Sequence, residues 1–151
     1  MKKSILVAPC NGEVIELSSV NDEVFSSGML GNGFAIIPEG NDFVCPCDGE
    51  IQEAHEARHA YTIVSNDGIE ILVHIGIDTI ELDGDGFTSF VNNGDTVLQG
   101  GKLASVDIQM VIENEYDPVA IIILTNDYML GDYKINYGKI KAGDAVVEYN
   151  L

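Results

Sequence analysis

An antiparallel β-sandwich or barrel with short helical turns is the all-β fold class that this sequence predicts, on three observations. Short apolar and β-branched runs recur along the chain, bounded by Gly, Asn and Asp. The chain holds 16 Gly and little that repeats at the 3.6-residue period of an amphipathic helix. A strand–turn–strand corner is also written twice. Val7-Ala8-Pro9-Cys10-Asn11-Gly12-Glu13-Val14 matches Val44-Cys45-Pro46-Cys47-Asp48-Gly49-Glu50-Ile51 at an offset of 37 residues. Two copies are too few for a solenoid, so they read as a duplicated corner within one domain over residues 1–151.

In chain order, residues 4–8 form a short apolar strand, and residues 14–17 a second one after the Asn11-Gly12 turn. Ser18 or Ser19 is placed to cap a helical turn carrying Asp22, Glu23 and Phe25. Gly31-x-Gly33 lacks the lysine and helix of a nucleotide loop and reads as a turn leading to a strand over residues 34–37. Gly84-Asp85-Gly86 interrupts residues 80–90, and Asp107 caps a helical turn closed by Asp117-Pro118. Strands over residues 119–124, 133–135 and 145–149 complete the chain. A second echo aligns Gly94-Asp95-Thr96-Val97 with Gly143-Asp144-Ala145-Val146.

Charge narrows the partners. With 25 acidic and 7 basic residues the net charge is −18, so nucleic acid and anionic membranes are repelled while basic protein surfaces are attracted. Lys2 and Lys3 open like a signal peptide, but the apolar stretch after them is too short for one. No run approaches the 18 apolar residues that cross a bilayer. The 3 cysteines, with Cys45-Pro46-Cys47 spaced wrongly for zinc or redox pairing, read as free core thiols in a reducing cytoplasm.

The chemistry concentrates between Arg58 and Thr79. Runs at 59–64 and 69–75 flank Ser65-Asn66-Asp67-Gly68, a hairpin signal. If Asn66-Asp67 is the loop, His59 lies directly opposite His74; if Asp67-Gly68 is, the two sit one diagonal step apart. Either even-length loop gives both rings one face, with Cβ atoms about 5–8 Å apart. Alternation assigns Ile71, Val73, Ile75 and Ile77 to a core row, and Glu70, Leu72 and His74 to the other face with His59, Tyr61 and Ile63.

These residues resemble the glucose-type enzyme IIA domain of the bacterial sugar phosphotransferase system, from about Ile5 to Tyr149. Leu72-Val73-His74-Ile75-Gly76-Ile77-Asp78-Thr79 resembles that family's phosphorylation segment, Arg58-His59-Ala60 its second histidine segment, and Val7-Ala8-Pro9 with Gly12 its opening. The resemblance implies a β-sandwich and a phosphotransferase that needs no cofactor and no metal; zinc on His59 and His74 would be adventitious. It implies that Nε2 of His74 accepts a phosphoryl group from a histidine-phosphorylated carrier protein and passes it to a cysteine of an enzyme IIB domain. The Gly76 carbonyl would orient His74, and His59 would steady the phosphoryl oxygens. Asp22, Phe25, Leu72 and Asp78 would meet the partners, with Leu72, Tyr61 and Phe25 as an apolar rim. A monomer is expected of a carrier that shows one face to successive partners. Two positions depart from the pattern: Ala57 replaces a threonine, and His55, read as a surface residue, replaces an apolar aromatic.

Other classes fit less well. A zinc hydrolase of related fold needs a His-x-His pair, which a chain with 3 histidines in other spacings lacks. A non-catalytic regulatory module with this fold is the remaining alternative, suggested by Ala57. The sequence names neither the sugar nor the particular permease.

Overall fold

A computed structural model describes residues 4–151; the Lys2-Lys3 reading lies outside them. Within the described residues fourteen strands and two short α-helices follow one another. The strands are β1 Ser4–Val7, β2 Gly12–Glu16, β3 Asn32–Pro38, β4 Asp42–Val44, β5 Gly49–Ala54, β6 Ala60–Ser65 and β7 Glu70–Ile75. After them come β8 Phe87–Ser89, β9 Thr96–Val97, β10 Lys102–Val106, β11 Ala120–Leu124, β12 Tyr133–Ile135, β13 Gly138–Ile140 and β14 Ala145–Tyr149. Helix α1 spans Glu23–Ser26 and α2 spans Ile108–Glu113. All the strand pairs are antiparallel, in an eight-stranded sheet ordered β13-β2-β3-β11-β7-β6-β5-β9 and two three-stranded sheets, β1-β14-β12 and β4-β10-β8. The β-sandwich expectation therefore holds.

The duplicated corners face each other. Val7 N donates to Pro46 O at 2.9 Å, and Val44 N donates to Pro9 O at 2.7 Å, a reciprocal pair between matching positions of the repeat. The symmetry extends outward. Tyr61 pairs with Val73 as Phe34 pairs with Ile122, and Val73 and Ile122 pair with each other, so a quasi-twofold axis passes between them. The second echo is corrected by the same symmetry. Ile140 corresponds to Val97, Lys139 to Thr96 and Ala145 to Lys102, an offset of 43 residues. Gly143-Asp144 therefore matches Gly100-Gly101; the shared Gly-Asp letters at 94–95 reflect turn chemistry common to unrelated bends.

Two apolar clusters result. The main core holds Leu6, Phe34, Phe43, Ile51, Tyr61, Ile63, Ile71, Val73, Ile75, Leu103 and Ile122 among others, and it buries Cys10, Cys45 and Cys47 as free thiols. Burial pushes the Cys10 and Cys47 thiols up to about 12 and Cys45 to about 11, so they stay protonated and inert at neutral pH. A smaller cluster of Leu17, Val20, Phe25, Ala35, Ile77, Val119, Ile121 and Ile123 lies on the other face of the large sheet, with Leu72 against it. Ile77 belongs to this second cluster rather than to the Ile71–Val73–Ile75 row, because Gly76 (φ 83) turns the chain and ends the alternation.

Among the described residues no helix is long and apolar enough to cross a membrane. The expected cap at Ser18 or Ser19 is replaced. Leu17–Ser19 is a 3-10 turn, and Asp22 itself caps α1, its Oδ1 accepting from Val24 N at 2.9 Å. Asp107 caps α2 as expected, accepting from Met110 N at 3.1 Å.

Candidate functional site

The β6–β7 hairpin carries the site, in a register neither even-length loop allows. Ala60, not His59, pairs with His74, and Thr62 pairs with Leu72. Ser65 N donates to Ile69 O at 2.9 Å across the three-residue loop Asn66-Asp67-Gly68, with Gly68 at φ 93. A type I turn closed by a left-handed glycine accounts for the odd length. The slip of one residue exchanges faces. Tyr61 and Ile63 point into the main core at 0% exposure, while Ala60 and Thr62 share the half-buried face of His74. Tyr61 is therefore no part of the rim; its hydroxyl donates to Arg58 O at 3.2 Å.

His59 nonetheless reaches His74. It lies outside β6, in a bend that follows Arg58, whose φ is 64, and strand alternation does not carry through that bend. Its carbonyl accepts from Ile75 N at 2.7 Å, which ties the bend to β7. The His59 and His74 ring centroids are 5.0 Å apart and the planes stand at 89°. On the other side of His74 the Phe25 ring approaches to 4.9 Å. Leu72 is half-buried beside it on the same strand face, Asp22 begins the helix that carries Phe25, and Asp78 is exposed just beyond Gly76.

Backbone geometry fixes the His74 ring. Its Nδ1 lies 2.8 Å from Gly76 O. A carbonyl only accepts, so Nδ1 carries the proton and a neutral ring presents Nε2 as a bare lone pair. Gly76 occupies a left-handed conformation and a Cβ there would meet the Thr79 methyl, so glycine is required. Thr79, 1% exposed, donates its hydroxyl to Ile75 O at 2.6 Å and locks the turn from within. No role for Thr79 emerged from the sequence; its spacing of four residues from Ile75 was the available signal.

Electrostatics keep both rings neutral. Burial lowers His59 to about 4, and the neighbouring His74 and His55 add to the effect. Burial also lowers His74, opposed by the Gly76 carbonyl and by the charges of Asp22 and Asp78. His55 departs from its surface assignment. It is half-buried, its ring stands edge-on to His59 at 4.6 Å, and its Nδ1 accepts from Ala57 N at 3.0 Å. No group of three or more His, Cys, Asp or Glu among the described residues is arranged to hold a metal ion.

A β-sandwich holding two neutral imidazoles edge to face, one presenting Nε2, defines a class of histidine-centred proteins. Residues 4–129 match the family model described as the phosphoenolpyruvate-dependent sugar phosphotransferase system, EIIA 1. The chain belongs to that family. It is 43% identical over 141 residues to the PTS system glucose-specific EIIA component of Mycoplasma capricolum, covering 93% of this chain and 92% of that protein. The β-glucoside-specific EIIBCA component of Bacillus subtilis is 39% identical over 96% of this chain, which spans only 24% of that longer protein. The solved structure of glucose permease IIA from Mycoplasma capricolum superposes with a TM-score of 0.88 at 40% identity, covering 98% of this chain and 96% of that one.

Proposed function

We propose that this chain is a phosphoryl way-station between proteins of a sugar phosphotransferase system, with His74 as the acceptor. A histidine-phosphorylated carrier protein docks over α1 and the His74 face, and the N–P bond of the donor breaks as an Nε2–P bond forms on His74. A thiolate on an enzyme IIB domain then attacks phosphorus and takes the group as an S–P bond, returning His74 to its neutral state. Relatives whose names join EIIA to EIIB and EIIC in one polypeptide support the second partner.

The observation that carries this reading is the fixed donor state of His74. With Nδ1 held 2.8 Å from Gly76 O, Nε2 is an unprotonated nucleophile at neutral pH. Transfer through a loose transition state asks mainly for positioning and charge stabilisation. His59, 5.0 Å away between ring centres, is placed to donate to the phosphoryl oxygens. Phe25 and Leu72 exclude water from the labile bond under a docked partner, and Asp22 and Asp78 steer a basic donor. The chain works as a cytoplasmic monomer in this reading, and its sugar is set by the membrane component; glucose follows the names of the relatives.

Single-turnover transfer from a phosphorylated carrier provides the test. His74→Ala should abolish the acid-labile adduct, and His59→Gln should still accept phosphate but pass it on about a hundredfold more slowly. Wild-type chain that binds both partners yet takes up no phosphate would instead support the regulatory module.

A further inference from the structure

His59 holds a buried polar atom for which the site as described gives no use. Among the described residues, its Nδ1 is a buried side-chain nitrogen with no hydrogen-bond partner, and Ala57 offers it no side-chain oxygen. Either tautomer of the neutral ring leaves that atom unmet, as a bare lone pair or as an N–H without an acceptor, so the ring's proton is placed only when a donor or an acceptor reaches Nδ1. His55 stands beside it with its own polarity already fixed. The Ala57 amide donates to His55 Nδ1 at 3.0 Å, which leaves the His55 proton on Nε2 as a free donor. The two ring centroids are 4.6 Å apart and edge-on. Two hydrogen-bonded imidazoles in one plane would have centroids about 5 Å apart, so the 4.6 Å separation leaves the rings close enough for an N–H···N bond once they share a plane.

We propose that His55 is the positioning residue for His59, completing a one-way line of donors. The line runs from the Ala57 amide to His55, from His55 Nε2–H to His59 Nδ1, and from His59 Nε2–H to the phosphoryl oxygens on His74. Every donor in it points toward the incoming charge, and the backbone amide sets the direction. Burial that depresses His59 protonation acts in the same sense, since an imidazolium would place a second N–H where His55 donates. Glu56 and Arg58 are the charged residues that line the cavity beside His55; Ser89, Asn92 and Asn93 across it are neutral. The inference rests on the phosphotransfer reading only for the last step of the line.

Two variants separate donor from ring. His55→Phe keeps an aromatic edge and removes the N–H, whereas His55→Gln keeps an N–H donor. Nitrogen-15 NMR of the unphosphorylated wild type should show His59 protonated on Nε2 alone, and His55→Phe should convert it to a mixture of tautomers. Phosphoryl transfer should fall about tenfold in His55→Phe, which also lowers the thermal midpoint because the Ala57 amide loses its acceptor, and stay within about twofold of wild type in His55→Gln, whose side-chain oxygen can take that amide. A wild-type His59 protonated on Nδ1 overturns the proposal. So does a His55→Phe variant with unaltered tautomer and rate, or an equal loss in both variants. If wild type takes no phosphate on His74, the phosphotransfer reading fails, and the tautomer measurement decides the His55–His59 contact alone.

Discussion

His59 pays for its place with a pH sensitivity that can be measured. Burial lowers it from 6.5 to about 4, so below pH 6.5 the unfolded chain binds a proton there that the folded chain refuses. The unfolded state then holds more protons, and stability falls as pH drops from about 6.5 toward 4, with no contribution from this ring above that window. The full loss is on the order of 3 kcal/mol for a shift of this size. Urea unfolding at pH 7.5 and 4.5 should show wild type losing roughly 2 kcal/mol more than His59→Gln over that interval. Equal losses would place the His59 ring in water. Burial lowers His74 too and so favours its neutral ring, opposed by the Gly76 carbonyl and by the Asp22 and Asp78 charges.

At the scale of the element, turns decide what the strands can do. Gly76→Ala places a methyl group on Thr79 and forces an L-residue to φ 83, at a cost of about 2 kcal/mol or more, and it moves the carbonyl that orients His74. Calorimetry together with transfer kinetics should show both losses; retained transfer in a destabilised variant would detach Gly76 from the ring. Asp22 separates in the same way. Asp22→Ala removes the α1 cap and loosens Phe25 against His74, whereas Asp22→Asn keeps the cap and removes only charge. Only the second variant should leave transfer at saturating donor unchanged while raising the donor concentration needed at low salt. Turns are also where sequence reading succeeded and failed. The hairpin, the Asp107 cap and the strands at Tyr133–Ile135 and Ala145–Tyr149 were legible because alternation and capping residues are local signals. The odd loop was not, since Asn66-Asp67-Gly68 suits two-residue and three-residue turns alike. His59 met His74 for a reason alternation cannot express, the bend after a left-handed Arg58. His55 was lost as a surface residue because its neighbour across the bend depends on that same backbone kink.

The whole molecule pairs a quasi-twofold scaffold with an asymmetric site. By the pairing symmetry Ile123 stands where His74 stands and Asn32 where His59 stands, so the duplicated framework carries a histidine pair on one side only. Its reciprocal Val7–Pro46 and Val44–Pro9 bonds hold the two halves together away from the histidines. A net charge of −18 surrounds the site with a field that draws basic partners. Raising the salt from about 0.05 to 0.5 M should therefore slow carrier encounter by about tenfold and leave the transfer step itself unchanged. The most direct test is peptide-level mass spectrometry after incubation with phosphoenolpyruvate and the two general phosphotransfer proteins. One acid-labile phosphate on His74, discharged when an enzyme IIB domain is added, is the expected result. A phosphate found on His59 instead, or none on either ring while both partners bind, would contradict it.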